Sequence, residues 1–406
     1  MCTSDQKRNF WFYTLAIVIG VVAGIAGGDT WFAVGKFCSD VFLRLFRCVS
    51  MPMISLSVIV ALMHSGENRA MQRVWKKTLC YTLLTTLAAV TVSAFLYTWI
   101  QPANMGKLPA EGLMKEPAQG SYTQYLLQIF PDNLLGAFLQ YQVLTVLLMS
   151  VVVGLSIRKI SQEEARATIQ HFFEGFHSIL FTIIRGMVRW LPIGLFGFIT
   201  VGVREWNGHT SLHGMGAYVL LVTSANLLQG FLVLPIFLWW KKQNPARVFQ
   251  KMLPALSVAF FTKSSAGTLP VTIQQAETKL CVHPSISRFV LPLCTTVNMN
   301  GCGAFIFITV LYGMQNHGVT ITPWLMLPWI FIATLAAIGN AGVPMGCFFL
   351  SVSLLSSINV PLDFMGWILP MYTLMDMLET ALNVWSDACV TVAVNEEVKG
   401  SFGSHS

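Results

Sequence analysis

From Phe289 to Leu362 the chain carries no Asp, Glu, Lys or Arg. A soluble domain has about 25% charged residues, so no water-exposed fold of this size leaves such a gap. Over all 406 residues, 11% are charged and 54% hydrophobic. The apolar residues come in helix-length runs rather than short alternating strands, which excludes an outer-membrane barrel. The reading is an all-α polytopic membrane protein. The formal net charge of +7 sits mostly in short loops, where Lys and Arg hold a segment on the cytoplasmic side. It requires no nucleic-acid partner.

Within this apolar chain, Met371–Val394 is long enough to cross a bilayer yet contains Asp376, Glu379 and Asp387. At about 100° per residue, Asp376, Glu379, Asn383 and Asp387 fall within about 80° of one another on a helix, with Thr380 on the flank. Each carboxylate costs about 2.5 kcal/mol or more at the bilayer centre. Such a stripe faces a cavity, a cation or a polar partner. Either the acids are paired internally as structural glue, or they form a site for cations, substrate or both, which is the usual meaning of intramembrane charge.

The nine cysteines contain no CxxC, and most lie in apolar runs. Neither a disulfide framework nor a thiolate metal site is expected, and they read as small buried hydrophobes, with Cys302 a candidate exception.

Apolar runs at Phe10–Gly27, Cys38–Met63 and Thr78–Ile100 read as the first three spans. The start, Lys7-Arg8 before an apolar run, also fits a signal peptide, but with further spans following a retained first helix is expected. The loop Glu67–Lys77, with Arg69, Arg73, Lys76 and Lys77, should be cytoplasmic, as should the N-terminus. Gln101–Asp132 should lie outside, and Leu134–Ile157 should return. A long amphipathic helix is expected over Thr168–Val203, bent at Leu191-Pro192, and Met215–Trp240 should span again before Lys241-Lys242.

After Lys251 the apolar runs are shorter and broken by small residues. Lys263–Pro270 and Ala337–Pro344 are turns between arms too short to span twice. They read as re-entrant hairpins, whose bare backbone is tolerated only when buried or lining a cavity. Paired interruptions of this kind point to a transporter binding site at mid-depth. Between them, Thr295–Gly303, with Asn298 and Asn300 ahead of Gly301 and Gly303, suggests an unwound helix; a merely kinked one is the alternative. No strand precedes it and no Lys-Ser/Thr follows, so a phosphate loop does not fit. The expected organisation is residues 1–250 as an N-terminal half with about six spans. Residues 251–395 form a core with two hairpins and two more spans, for about eight in all, and 396–406 a cytoplasmic tail.

Four motifs in order carry a resemblance: Ser264-Ser265-Ala266-Gly267-Thr268, Asn298-Met299-Asn300-Gly301, Ala341-Gly342-Val343-Pro344, and Asp376 with Asn383 and Asp387. Ser50-Met51-Pro52-Met53 and Leu83-Leu84-Thr85-Thr86 add to them. Together the chain resembles the dicarboxylate/amino acid:cation symporter family, the match covering nearly its whole length. That resemblance implies a lipid-embedded homotrimer, each protomer with a trimerisation scaffold and a transport part that slides like an elevator. It implies an integral protein of the plasma membrane, or of the inner membrane in a bacterium, with both termini cytoplasmic.

Residue by residue, Asp376 matches the position that holds an amino-acid substrate's α-ammonium; Asn383 and the Ser264-Ser265 region match those that hold its α-carboxylate. Cys302, Val343, Glu379 and Thr380 complete the implied substrate pocket. Asp387, Asn298, Asn383 and the Cys294 carbonyl match one sodium site, and hard cations want such oxygen ligands. Thr296, Met299 and carbonyls near Ala337, Ile338 and Asn340 match a second. A third site relies in the family on an aspartate that is Asn300 here; Thr82 stands at its tyrosine position, and Thr85 and Thr86 remain.

The departures bear on the substrate. Acidic-substrate members carry Arg where this chain has Glu379, and Thr where it has Cys302. An Arg fork grips a side-chain carboxylate; Glu379 would repel one. The substrate side chain is then neutral or cationic, or Glu379 is protonated and H⁺ takes the place of one Na⁺ while a dicarboxylate is carried. Lys263 is a candidate partner for Glu379 when the site is empty. A passive ion channel is the rival of a different class. An intramembrane protease would need a Ser/His pair or facing aspartates on different helices, so an enzyme is not expected.

Overall fold

The computed structural model describes residues 2–63, 69–105, 133, 135–139, 143–205, 212–340 and 345–398, and all regular structure among them is helical. Helices α1 (Cys2–Ala26), α2 (Gly28–Met63) and α3 (Arg69–Ile100) cover the first three expected spans. The boundary before α3 differs from expectation. Arg69, Arg73, Lys76 and Lys77 belong to the helix rather than to a loop, because Lys and Arg are good helix formers and an apolar run does not mark where a helix starts. Of the stretch expected outside, 106–132 lies beyond the described residues.

Helices α4 (Gly136–Leu139) and α5 (Val143–Ile157) follow. The expected bent amphipathic helix is two helices, α6 (Glu163–Arg189) and α7 (Leu191–Glu205), separated at Trp190. Pro192 sits in the first turn of α7, where its missing N–H breaks no bond. Helix α8 (Leu212–Leu228) passes through a π turn (Gln229–Val233) into α9 (Leu234–Trp240). Pro235 has no N–H to close the ladder there, and the Gly230 carbonyl accepts the Trp385 indole N–H at 3.0 Å.

The first hairpin is α10 (Pro245–Thr262) and α11 (Ser265–Thr278). Its tip is Lys263, left-handed at φ 53°, and Ser264, whose Oγ caps α11 by accepting from the Gly267 N–H at 3.0 Å. Helices α12 (Pro284–Val297) and α13 (Asn300–Asn316) are interrupted at Asn298 and Met299, whose ψ angles of 71° and 66° are not helical. The second hairpin is α14 (Pro323–Ile338) and α15 (Gly346–Ser357); most of its tip, 341–344, lies outside the described residues. At ~1.5 Å per residue the four arms measure ~27, ~21, ~24 and ~18 Å, all short of the ~30 Å hydrocarbon core. The last helix, α16 (Asp363–Val398), is 36 residues long and takes up Glu396–Val398, the start of the expected tail.

Helix α16 packs against α3, α7, α8 and α10 to α13, and α13 against α3, α8 and α14 to α16. Of α13, all but Gln315 is buried. Two apolar clusters share α16: one takes it up to Met375 and holds Phe305, Phe348 and Tyr372, the other takes it from Leu382 onward and holds Leu256, Leu291 and Trp385. The polar stripe begins in the gap between them. Outward-facing Phe95, Trp99, Leu220, Phe231, Trp239 and Trp324 are exposed, an outer surface suited to lipid and interfacial anchoring.

Candidate functional site

The stripe on α16 is buried along its length: relative exposure is 5% at Asp376, 0% at Glu379, 3% at Asn383 and 2% at Asp387. At the Asp387 end, the break between α12 and α13 turns two amides toward α16. Asn298 Nδ2 donates to Asp387 Oδ1 and to Ser386 Oγ, both at 2.9 Å, and Asn300 Nδ2 donates to Ser386 Oγ at 2.5 Å. From α3, the Thr85 hydroxyl reaches Asn298 Oδ1 at 3.1 Å and the Thr86 hydroxyl donates to Asn300 Oδ1 at 2.8 Å. The Cys294 carbonyl accepts the Asn298 N–H at 2.8 Å. The break is a knot of oxygen and amide groups around one carboxylate, a donor set suited to a hard monovalent cation.

In the middle of the stripe, α13 lies against α16 with almost no gap. A Cβ on Gly301 would stand 2.9 Å from the Glu379 Cα, so only glycine fits. The Gly301 N–H donates to Asn383 Oδ1 at 2.9 Å, and Asn383 Nδ2 donates to Cys302 Sγ at 3.3 Å. Asn340, at the end of α14, donates to Cys302 Sγ at 2.8 Å and Cys347 Sγ at 3.3 Å, while its own Oδ1 is buried without a partner among the described residues. A Cβ at Gly346 would overlap that oxygen at 1.8 Å. Ala337 accepts the Asn340 N–H at 3.1 Å. An orphaned buried acceptor beside helix-end carbonyls fits a second cation position.

At the other end, Asp376 accepts from the Met345 N–H at 3.4 Å and the Tyr372 hydroxyl at 3.3 Å, and Lys263 on the first hairpin interacts with it electrostatically. Glu379 is different. Both its carboxylate oxygens are buried and meet no well-formed hydrogen bond among the described residues; the Tyr372 hydroxyl bonds Asp376 at 3.3 Å and lies beside Glu379 as well. The expected Lys263–Glu379 pair does not form, because the first hairpin delivers Lys263 to Asp376.

The remaining candidates vary. Ser265 is buried, and Ser264 is committed to capping α11. Thr380 donates to the Asp376 carbonyl and Thr296 to the Leu293 carbonyl, each within its own helix. Met299 is buried at the break and Ile338 ends α14. Val343 lies outside the described residues.

One expectation is overturned outright. Cys302 and Cys347, 45 residues apart in sequence, are joined as a disulfide. The second hairpin folds back on the start of α13 and brings together two cysteines that no spacing rule connects. Residues that sequence reasoning missed include Ser386, Tyr372, Cys347, and Asn226 and Gln229 on the α8–π segment. Asn226 Oδ1 lies against the Gly301 position, and Gln229 donates to the Thr85 carbonyl at 3.0 Å. The signal was available: Asn226 and Gln229 are polar residues inside an apolar span, and Ser386 precedes Asp387.

A helical membrane protein in which two hairpins and an interrupted helix converge on a buried charged centre is a secondary transporter in architecture. The chain belongs to the sodium:dicarboxylate symporter family, whose model matches residues 10–397. It is similar to the human neutral amino acid transporter B(0), at 27% identity over 95% of this chain and 80% of the relative. It is similar also to the proton/glutamate-aspartate symporter of Escherichia coli K12, at 24% identity over 95% of this chain and 91% of the relative. A putative sodium-dependent excitatory amino acid transporter of Caenorhabditis elegans matches at 25% identity over 96% and 90%. The chain is thus an integral membrane symporter for a small molecule, and not an enzyme.

Proposed function

We propose that this protein is a Na⁺-coupled symporter of a neutral or cationic amino acid. One observation carries the substrate class: Glu379 is fully buried, and neither of its oxygens has a well-formed hydrogen bond among the described residues. An ionised carboxylate so placed repels an acidic side chain by several kcal/mol at about 4–6 Å and receives a cationic or hydrogen-bond-donating one. Asp376 binds the α-ammonium, displacing Lys263, while Asn383 and the Ser264-Ser265 tip bind the α-carboxylate. Cys302 and Thr380 line the side-chain end. Na⁺ is held at Asp387 with Asn298, Asn383 and the Cys294 carbonyl, and a second ion by Thr296, Met299, Ala337, Ile338 and Asn340. That one relative is named a neutral amino acid transporter supports this reading.

Reconstituted uptake with and without a sodium gradient tests it. Serine, alanine, glutamine, lysine or arginine should compete better than glutamate or aspartate at neutral pH; the reverse order overturns the assignment. Acidic substrates preferred only below about pH 6 would instead mark a protonated Glu379 and H⁺ coupling. Sodium currents without concentrative uptake would mark a passive channel.

A further inference from the structure

We propose that Cys302, Cys347 and Glu379, with the cysteines reduced, form a binding site for a soft divalent cation such as Zn²⁺ or Cd²⁺. The two sulfurs and a Glu379 oxygen all lie within 4.8 Å of one another, and all three residues are buried. A tetrahedral ion with thiolate and carboxylate ligands holds its donors ~3.5–4 Å apart, so small side-chain rotations close the site. Two thiolates select a soft ion over Na⁺, which separates this cluster from the all-oxygen one at Asp387.

A second observation points the same way. The Glu379 carboxylate is buried with neither oxygen in a well-formed hydrogen bond among the described residues, an arrangement that a cation relieves. The Cys302 sulfur also receives the amide groups of Asn340 at 2.8 Å and Asn383 at 3.3 Å. These are the outer donors that steady a ligating thiolate.

The ligands come from three elements: the start of α13, the first turn of α15 in the second hairpin, and the middle of α16. A bound ion ties the second hairpin to both helices. Access to the site begins with the disulfide. A small dithiol reductant delivers two electrons and two protons, leaving two thiols and itself closing to a cyclic disulfide; the metal then displaces the thiol protons. The site shares Glu379 and Cys302 with the proposed substrate pocket but does not depend on which amino acid is carried.

The test uses full-length purified protein in detergent, reduced and then freed of reductant under argon. Titration with Co²⁺ should develop thiolate-to-cobalt charge-transfer absorption. The band should be lost in Cys302→Ser and in Cys347→Ser, should need at least ~10-fold more Co²⁺ in Glu379→Gln, and should survive Cys294→Ser and Cys389→Ser. X-ray absorption of Cd²⁺-loaded wild-type protein needs no variant and should show paired sulfur neighbours with a light-atom ligand. A band that persists when both Cys302 and Cys347 are replaced, or cadmium without paired sulfurs, overturns the proposal. Neither readout involves transport, so the metal site and the substrate assignment fail separately.

Discussion

Asp387 illustrates how a single carboxylate is made useful inside a membrane. It is 2% exposed and takes the Asn298 amide at 2.9 Å, while Asn298 in turn faces Thr85. The amide softens the cost of burial without supplying a counter-charge, which is left for a cation. Asp387→Asn keeps the size and one acceptor oxygen but removes the charge. It should raise the sodium concentration needed for half-maximal uptake by at least ~10-fold, the scale seen when even an outer-shell partner of a metal is removed. The protein should still elute as the same oligomer. An unchanged sodium requirement in proteoliposomes would take Asp387 out of the coupling site.

At the scale of elements, the end of α16 is clamped against α3 and the end of α9. The Glu397 carboxylate bonds Lys77, Lys241 at 2.7 Å and the Tyr81 hydroxyl at 2.5 Å, and Lys241 also sits over the Tyr81 ring at 4.4 Å. Lys77 lies about two turns into α3 and Lys241 follows α9, so both cations meet the end of α16 on one face, which positive-inside reasoning assigns to the cytoplasm. Partial burial pushes the Glu397 carboxyl upward, but the bonds from Lys241, Lys77 and Tyr81 outweigh it and hold the group at about 2, from an ordinary 4.5. A folded value below the unfolded one means the clamp contributes fully above pH 4.5 and is lost as pH falls toward 2. Glu397→Gln should therefore melt a few degrees lower than the native protein at neutral pH, with the gap shrinking on acidification below 4.5. A pH-independent gap, measured in detergent by dye fluorescence, would show that the clamp acts by packing alone.

For the whole molecule, α1, α2 and α7 pack on one another, whereas α10 to α16 gather around the polar stripe. Ion stoichiometry belongs to this scale. In Asn300, Oδ1 accepts from Thr86 and Nδ2 donates to Ser386, so hydrogen bonds occupy the side chain that would otherwise meet a further cation. Fewer Na⁺ should accompany each substrate than in members with an aspartate there. Charge-to-substrate ratios in proteoliposomes decide it; a third coupled ion would mean another group replaces the missing carboxylate.

Much of this was already written in the order of residues. A charge-free stretch from Phe289 to Leu362 admits only a membrane fold, and the spacing of Asp376, Glu379, Asn383 and Asp387 puts them on one face because a helix has a fixed period. Breaks at Lys263, Ser264, Asn298 and Met299 were legible because Ser, Gly and Asn compete with helical bonds. Tertiary structure decided the rest. Which carboxylate receives Lys263, the meeting of Cys302 with Cys347, the π turn that offers Gly230 to Trp385, and the burial of Glu379 all depend on how elements fold back across long sequence separations. Local periodicity reports which face of a helix is polar; only packing determines what that face meets.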